Sequence, residues 1–129
     1  MISHMGKVYK KGKNFTFVEI KLSAFQKTME KISEKTQRMT SIFGHDNGKT
    51  IEMFYHFMVD GHLWGAKFSI PRDNSTIPTV VGYFPVASLF ERETHDLLGV
   101  NFEGNRNLAP LLLDKTLSPK TPLRKKAVK

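Results

Sequence analysis

Two polar turns divide residues 39–70 into three segments of β-prone sequence. The turns are Asp46-Asn47-Gly48 and Asp60-Gly61, whose residues tolerate the positive φ angles of tight hairpins. The segment between them, residues 50–59, is the longest predicted strand. Its apolar side chains alternate onto one face: Ile51, Met53, Tyr55, Phe57 and Val59. The segment after the second turn alternates in the same way through Trp64, Ala66, Phe68 and Ile70. The sequence therefore predicts a three-stranded antiparallel β-meander with one apolar face.

Amphipathic helices are predicted on both sides of this meander. Ser23 and Gln26 have the spacing of a capping box, which favours a helix that ends near Lys35. Its apolar residues recur at helical spacing: Leu22, Phe25, Met29 and Ile32. A second helix is predicted over residues 85–98, because Pro85 suits a first turn and Gly99 a C-terminal cap. The expected fold class is α+β, a two-layer α/β sandwich of helix, meander, second helix and extended C-terminal tail.

The positive charge of the chain lies mainly at its two ends. The chain has 20 Lys and Arg residues against 12 Asp and Glu residues, a formal net charge of +8. Residues 15–114 hold 10 of the basic residues and all 12 acidic ones, a formal balance of −2. A nucleic-acid-binding domain normally carries its basic residues on the folded surface. The body of this chain does not fit that class, and a small basic nucleic-acid-binding protein acting through its tails stays as the alternative function.

Three segments are expected along the chain. Residues 1–14 form a basic, flexible N-terminal segment, in which residues 1–4 resemble a leader added in cloning ahead of Met5. Residues 15–104 form the α+β domain. Residues 105–129 form an extended basic tail that is expected to dock on a partner. Its last part, residues 115–129, has few apolar residues and is either solvated chain or docked on an acidic subunit, an anionic membrane surface or a polyanion. The chain has no cysteine, which excludes disulfides and thiolate metal sites.

The second predicted helix carries a charge in the middle of its apolar face. Four apolar residues share that face on a helical wheel: Val86, Leu89, Phe90 and Leu97. Glu93 falls among them, and a carboxylate buried without a partner costs several kcal/mol. Glu93 is therefore neutralised, binds an internal partner such as Arg92, Lys67 or the backbone of the following loop, or contacts another protein chain. Glu91 and His95 are predicted to face away from this stripe and to form a surface salt bridge.

Residues 91–104, Glu-Arg-Glu-Thr-His-Asp-Leu-Leu-Gly-Val-Asn-Phe-Glu-Gly, resemble the signature of a known family. It is the family of the 30 kDa subunit of proton-pumping NADH:quinone oxidoreductase (respiratory complex I) and its homologues in membrane-bound energy-converting hydrogenases. The order of elements matches as well, so the resemblance covers residues 15–113. Two positions depart from the family's pattern, with Asn105 in place of His and Ala109 in place of Arg or Lys. The compact chain is more similar to the hydrogenase branch, which includes Ech-type and carbon-monoxide-linked enzymes.

The resemblance implies a peripheral structural subunit with no catalytic residue, no bound cofactor and no metal. Its expected partners are a large catalytic subunit, of the quinone-reductase or NiFe-hydrogenase type, which it clamps, and a neighbouring iron–sulfur subunit. It would support electron transfer, lie on the cytoplasmic side of the cell membrane, associate with the membrane through the complex, and bind no nucleic acid. The implied interface and signature residues are Glu91, Arg92, Glu93, Asp96, Gly99, Phe102, Glu103, Gly104, Leu111 and Leu112.

Independent catalytic chemistry has little support in the residues themselves. The histidines come from different predicted elements, and no pair has the helical spacing of a zinc protease motif. Glu93 and Asp96 form a possible carboxylate pair, but no phosphate-binding loop or nucleophile motif accompanies them. The aromatic residues of the meander are expected to pack in the core. We therefore expect no enzyme activity from the isolated chain.

Overall fold

A computed structural model describes residues 2–105, and all structural statements below refer to them. The strands are β1 (Lys7–Lys11), β2 (Phe15–Glu19), β3 (Met39–Asp46), β4 (Thr50–Val59), β5 (His62–Pro71), β6 (Thr76–Pro78) and β7 (Asn101–Glu103). The helices are α1 (Phe25–Lys35) and α2 (Ala87–Leu98), and short 3-10 turns precede β1 and α1. This arrangement confirms the predicted α+β class. The C-terminal tail lies outside the described residues.

The larger sheet has the strand order β1-β2-β5-β4-β3. β3, β4 and β5 form the predicted antiparallel meander, and β2 adds to β5 in parallel. The β4–β5 turn forms at Asp60 and Gly61, whose φ angles are 49° and 78°. In the β3–β4 turn, Asn47 Oδ1 accepts hydrogen bonds from the backbone N–H groups of Lys49 and Thr50. The polar residues at both turns therefore act as the sequence predicted.

The N-terminal segment belongs to the fold, so the prediction that residues 1–14 are flexible is wrong for most of it. β1 pairs with β2 in antiparallel register, with Val8 opposite Val18. Ile2, which the leader interpretation leaves outside the domain, is fully buried in the core. Backbone pairing and this apolar burial order the segment despite its lysines. The folded body consequently includes the positive charges of β1.

Both helices pack on one face of the larger sheet. Phe25 of α1 meets Phe68 of β5 and Tyr55 of β4 in edge-on contacts, with ring centroids 4.8 and 5.5 Å apart. The expected capping box at Ser23 is absent from α1, which begins after Ala24 without a side-chain cap, because a 3-10 turn occupies residues 22–24. α2 packs mainly beside β3. Together these elements form the two layers of the sandwich.

A second, parallel pair of strands holds the loop after α2. β6 pairs with β7, and Ile77 lies opposite Phe102. Both side chains are buried. The N–H of Thr79 donates to the carbonyl of Glu103 at 2.9 Å, which extends the contact past β6. This pairing brings the chain on either side of α2 together.

Candidate functional site

α2 packs on the domain through a different face from the one that its apolar residues suggest. Its buried side chains are Ala87, Glu91, Thr94, Asp96 and Leu98. The apolar face of the helical wheel points away from the sheet, and its Val86 and Leu89 side chains are 50% and 51% exposed. Glu93 and Leu97 are partly exposed, and Phe90, at the edge of that face, is partly buried and packs against the core. We call this surface the outer stripe, defined by Val86, Leu89, Phe90, Glu93 and Leu97.

The buried carboxylate of α2 is that of Glu91, and the prediction of a surface Glu91–His95 salt bridge is wrong. The Glu91 carboxylate accepts hydrogen bonds from the Thr79 hydroxyl at 2.5 Å, the Val80 N–H at 2.8 Å and the Asn105 side-chain amide at 2.8 Å. Burial raises the pKa of Glu91, and the three donors only partly offset this effect. Glu91 therefore connects α2 to the segments before and after it.

The loop from residue 99 to residue 104 is shaped by signature residues that face inward. Gly99 ends α2 in the left-handed region with φ of 73°, and its N–H donates to the His95 carbonyl. The Nδ1 atom of His95 lies 2.9 Å from the Val100 carbonyl oxygen, which engages this ring with the loop instead of with Glu91. Phe102 is buried in the core, and Gly104 has φ of 95°. Of the predicted interface residues, Glu91 and Phe102 are thus enclosed within the domain.

Asn105, one of the two departures from the family's pattern, has a structural explanation. Its amide donates to Glu91 Oε1, so a neutral donor satisfies the buried carboxylate. From the sequence, the change from His to Asn at this position was expected to affect a contact with a partner. In the structure, Asn105 forms a contact inside the domain. Ala109, Leu111 and Leu112 lie outside the described residues, as does the rest of the proposed tail.

Glu93 in the outer stripe and Arg92 beside it have polar atoms that form no hydrogen bond within the described part of the chain. Glu93 forms no hydrogen bond or ion pair with residues 2–105. Lys67, a predicted partner of Glu93, instead binds Glu52 at 2.6 Å and Glu19 at 3.7 Å. The Nε atom of Arg92 is buried and finds no acceptor within the same residues.

The other two acidic residues of the predicted interface differ in exposure. Asp96 of α2 is largely buried. Glu103 of β7 is exposed. Within the described region, Glu93 and Glu103 are therefore the signature carboxylates that another chain can reach most readily.

The described region offers a surface for contact. No group of three or more His, Asp or Glu side chains within residues 2–105 is arranged to hold a metal ion. Neither helix of this region has the length and apolar character that a bilayer span requires. What the region does combine is an exposed apolar helix face with an unpaired carboxylate and a guanidinium. That arrangement suits the docking of another protein surface.

Residues 18–128 match the family model described as "Respiratory-chain NADH dehydrogenase, 30 Kd subunit". Similar curated proteins include an NADH-quinone oxidoreductase subunit of Neorickettsia sennetsu, 37% identical over 84 residues, which are 60% of this chain and 45% of that one. An F(420)H(2) dehydrogenase subunit of Methanosarcina mazei is 35% identical over 77 residues, 58% of this chain and 49% of the relative. A longer NADH-quinone oxidoreductase subunit of Aeromonas salmonicida is 36% identical over 75 residues, 57% of this chain but only 12% of its own length. The chain thus spans less than half the length of each.

Two solved structures have similar folds. A chain of the membrane-bound sulfane sulfur reductase, described as an archaeal respiratory membrane complex, aligns with a TM-score of 0.79 and 26% identity. The alignment covers 91% of this chain and 72% of the other. A trypsin-resistant fragment of Nqo5 aligns with a TM-score of 0.70 and 22% identity, covering 78% and 88% of the two chains, and supports the fold. These matches confirm the predicted family. They also include subunits of complexes other than NADH dehydrogenases.

Proposed function

Because the chain belongs to the family of the respiratory-chain NADH dehydrogenase 30 kDa subunit, we propose that it is a structural subunit of a membrane-associated oxidoreductase complex. In this proposal it binds the large catalytic subunit, of the quinone-reductase or NiFe-hydrogenase type, through the outer stripe of α2. The observation that carries the proposal is the outward position of an apolar helix face. The comparisons give no support to the alternative of a nucleic-acid-binding protein.

The apolar part of the outer stripe supplies binding energy of the required kind. Val86 and Leu89 each keep about half of their surface exposed to solvent. Full burial of such a side chain stabilises by about 1.5–3 kcal/mol, so covering both exposed halves contributes about the same amount in total. Leu97, which is partly exposed, extends the contact. Exposed apolar residues grouped on one helix face are typical of a protein interface.

Glu93 within the stripe and Arg92 beside it specify what the partner surface offers. Glu93 lies among apolar residues and calls for a Lys or Arg on the partner. Arg92 is partly exposed, and its guanidinium group suits a carboxylate or a carbonyl oxygen. A hydrogen bond to a charged group contributes about 1.5–3 kcal/mol. A partner surface without complementary charges would leave Glu93 and Arg92 buried and unpaired, which disfavours its binding. The outer stripe thereby selects its partner as well as binding it.

The contacts of Glu91 give the interface its rigidity. By binding Thr79, Val80 and Asn105, the carboxylate fixes α2 against the chain on both sides of the helix. A surface that is already ordered loses less conformational entropy on binding. Asn105 also begins the basic tail, and we propose that residues 105–129 continue along an acidic surface of the same partner.

The remaining parts of the proposal concern the chemistry and location of the complex. The chain acts without catalysis and without a cofactor of its own, and it supports electron transfer by holding the catalytic subunit beside an iron–sulfur subunit. It resides on the cytoplasmic side of the cell membrane and reaches the membrane through its partners. The family relationship supports membership of an oxidoreductase complex.

Recovery of the complex from native membranes tests the proposal. Affinity-tagged wild-type chain, Leu89→Asp and Gln37→Asp are expressed in the native host, and bound subunits are quantified by mass spectrometry. Gln37 is exposed and lies outside α2, so its variant is a matched control for the added charge. We expect Leu89→Asp to reduce recovery of the large oxidoreductase subunit at least tenfold, and the control to stay within twofold of wild type. Wild-type chain that recovers no oxidoreductase subunit would overturn the proposal.

A further inference from the structure

The face of the larger sheet opposite the helices carries a continuous row of aromatic rings. Ring centroids are 6.1 Å apart for Tyr9 and Phe17, and 5.1 Å apart for Phe17 and His56. The row continues from His56 to Phe43 at 5.2 Å and from Phe43 to Phe54 at 4.9 Å. We call this surface, with Phe15 and Lys67, the open sheet face. Among the described residues, Tyr9 and Phe43 are its large exposed hydrophobic side chains, 39% and 43% exposed.

Gly65 of β5 allows the row to cross the middle of the sheet. A Cβ atom at this position would lie 2.6 Å from Cδ1 of Phe17 and 3.1 Å from Cδ2 of His56. Without that atom, rings from β2 and β4 stack face to face across β5, with an interplanar angle of 6°. The result is a continuous cluster of ring contacts, in which Phe43 meets His56 nearly at right angles, with an interplanar angle of 88°. Aromatic residues are enriched at protein interfaces.

The charged groups in the middle of the open sheet face bind one another. Lys67 binds Glu52 and Glu19, and its Nζ atom also lies 5.2 Å from the ring centroid of Tyr9. Lys67 therefore offsets one of the two carboxylate charges at the centre of the face. The carboxylates of Glu19 and Glu52 are bound by Lys67, and the aromatic rings beside them can contact another protein.

The β1 edge of the same face is positively charged. Lys7 lies opposite Glu19 and Lys10 lies opposite Phe17 in the β1–β2 register. Because residues directly opposite in antiparallel strands point to the same side, both lysines belong to the open sheet face. Neither lysine forms an ion pair with a residue of the described region. A partner that covers this face must accept the two positive charges.

We infer that the open sheet face is a second docking surface, which binds a protein subunit other than the partner of α2. The surface of that subunit has an apolar centre over Phe17, Phe43 and Phe54 and carboxylates over Lys7 and Lys10. The inference rests on the proposed function, because it adds a second contact within the same complex. Helices cover one side of the sheet, so the two docking surfaces lie on opposite sides of the domain and the chain bridges two subunits.

The open sheet face is smaller than one side of a standard protein interface. Five strands about 4.8 Å apart and about five residues long span roughly 400 Å². That area is comparable with the largest apolar patches of ordinary monomers, and about half of one side of a standard protein interface of about 800 Å². A second copy of this chain fits less well, because the face's own carboxylates, Glu19 and Glu52, already bind Lys67.

Site-specific cross-linking in the assembled complex tests this inference. The full chain carries photoreactive p-benzoylphenylalanine at position 43, with and without Lys7→Glu/Lys10→Glu. Lys27→Glu/Lys35→Glu on α1, on the other side of the sheet, is the matched charge control. We expect a cross-link to a subunit other than the one lost with Leu89→Asp. The β1 double variant should reduce this cross-link at least tenfold, and the α1 double variant should change it less than twofold.

Three outcomes would overturn the inference. These are a cross-link to a second copy of the chain, a cross-link to the partner of α2, and a cross-link that the β1 charge reversal leaves unchanged. If the α2 partner is recovered but position 43 cross-links to no subunit, the second docking surface is absent while the proposed function stands. If wild-type chain recovers no oxidoreductase subunit at all, the proposed function itself fails.

Discussion

The side-chain amide of Asn105 donates a 2.8 Å hydrogen bond to the buried carboxylate of Glu91. This contact joins the end of the loop after α2 to the buried side of the helix, while the outer stripe lies on the opposite side. Signature residues thus divide into an inward group that fixes the helix and an outward group that faces solvent. The family signature is explained by both roles together.

Replacing Asn105 tests the first of these roles. Asn105→Ala removes a donor from a buried carboxylate, and we expect the free energy of unfolding to fall by about 1–3 kcal/mol. Asn105→His restores a ring N–H donor at the position where the family's pattern has His, and should recover part of this loss. Thermal and denaturant unfolding of the two variants measure the effect. Wild-type stability in Asn105→Ala would contradict the role assigned to the contact.

Glu91→Gln should change how stability depends on pH. Because the folded state raises the pKa of Glu91 above its ordinary value of 4.5, the group favours folding most when both states are protonated. That contribution is lost as pH rises from about 4.5 through the raised pKa. The unfolding free energy of wild type minus that of Glu91→Gln should therefore decrease over this interval. Denaturant titrations between about pH 4 and pH 8 measure it, and a difference that grows with pH would refute the assignment.

Ile2→Ala tests whether the N-terminal residues belong to the fold. Ile2 is fully buried, and truncation of a buried isoleucine to alanine costs about 2–5 kcal/mol. Ser3→Ala, at an exposed neighbour, is the control and should change stability by less than about 0.5 kcal/mol. Equal melting temperatures for the two variants would show that the N-terminus does not pack as described.

Glu93→Ala separates folding from assembly. Glu93 has no partner within residues 2–105, so its loss should change the unfolding free energy of the free chain by less than about 0.5 kcal/mol. In the complex the same substitution removes a charge from the outer stripe, and recovery of the large subunit should fall severalfold. Lost thermal stability with unchanged assembly would instead indicate an internal partner for Glu93.

Local chemistry accounts for the parts of the fold that the sequence predicted. The meander follows from period-two alternation and from turn residues such as Gly61, which adopts the positive φ that the turn requires. α2 ends at Gly99 for the same reason. In each case the information lies within a few neighbouring residues.

The features that the sequence did not predict depend on contacts between distant segments. β6 lies in a stretch with strong loop signals and becomes a strand only by pairing with β7. β1 is rich in lysine and becomes ordered by pairing with β2. Glu91 is buried because Thr79, Val80 and Asn105 converge on it from two sides of the helix.

The orientation of α2 shows a further limit of helical periodicity. A helical wheel locates the apolar face but does not say whether the core or another protein covers it. In this chain the face with the larger apolar side chains, such as Leu89, points outward. The core-facing side uses Ala87, Thr94 and Leu98, with Glu91 satisfied by internal donors. Phe54 was likewise assigned to core packing, although it lies on the open sheet face and is only partly buried.

The most direct test of the account is a photoreactive p-benzoylphenylalanine at position 89 in the complex assembled in native membranes. If the outer stripe binds the large catalytic subunit, we expect this residue to cross-link to that subunit. A probe at position 37, outside α2, should not cross-link to that subunit. A complex that contains both chains but yields no cross-link from position 89 to the large subunit would contradict the proposal that the outer stripe is the docking surface.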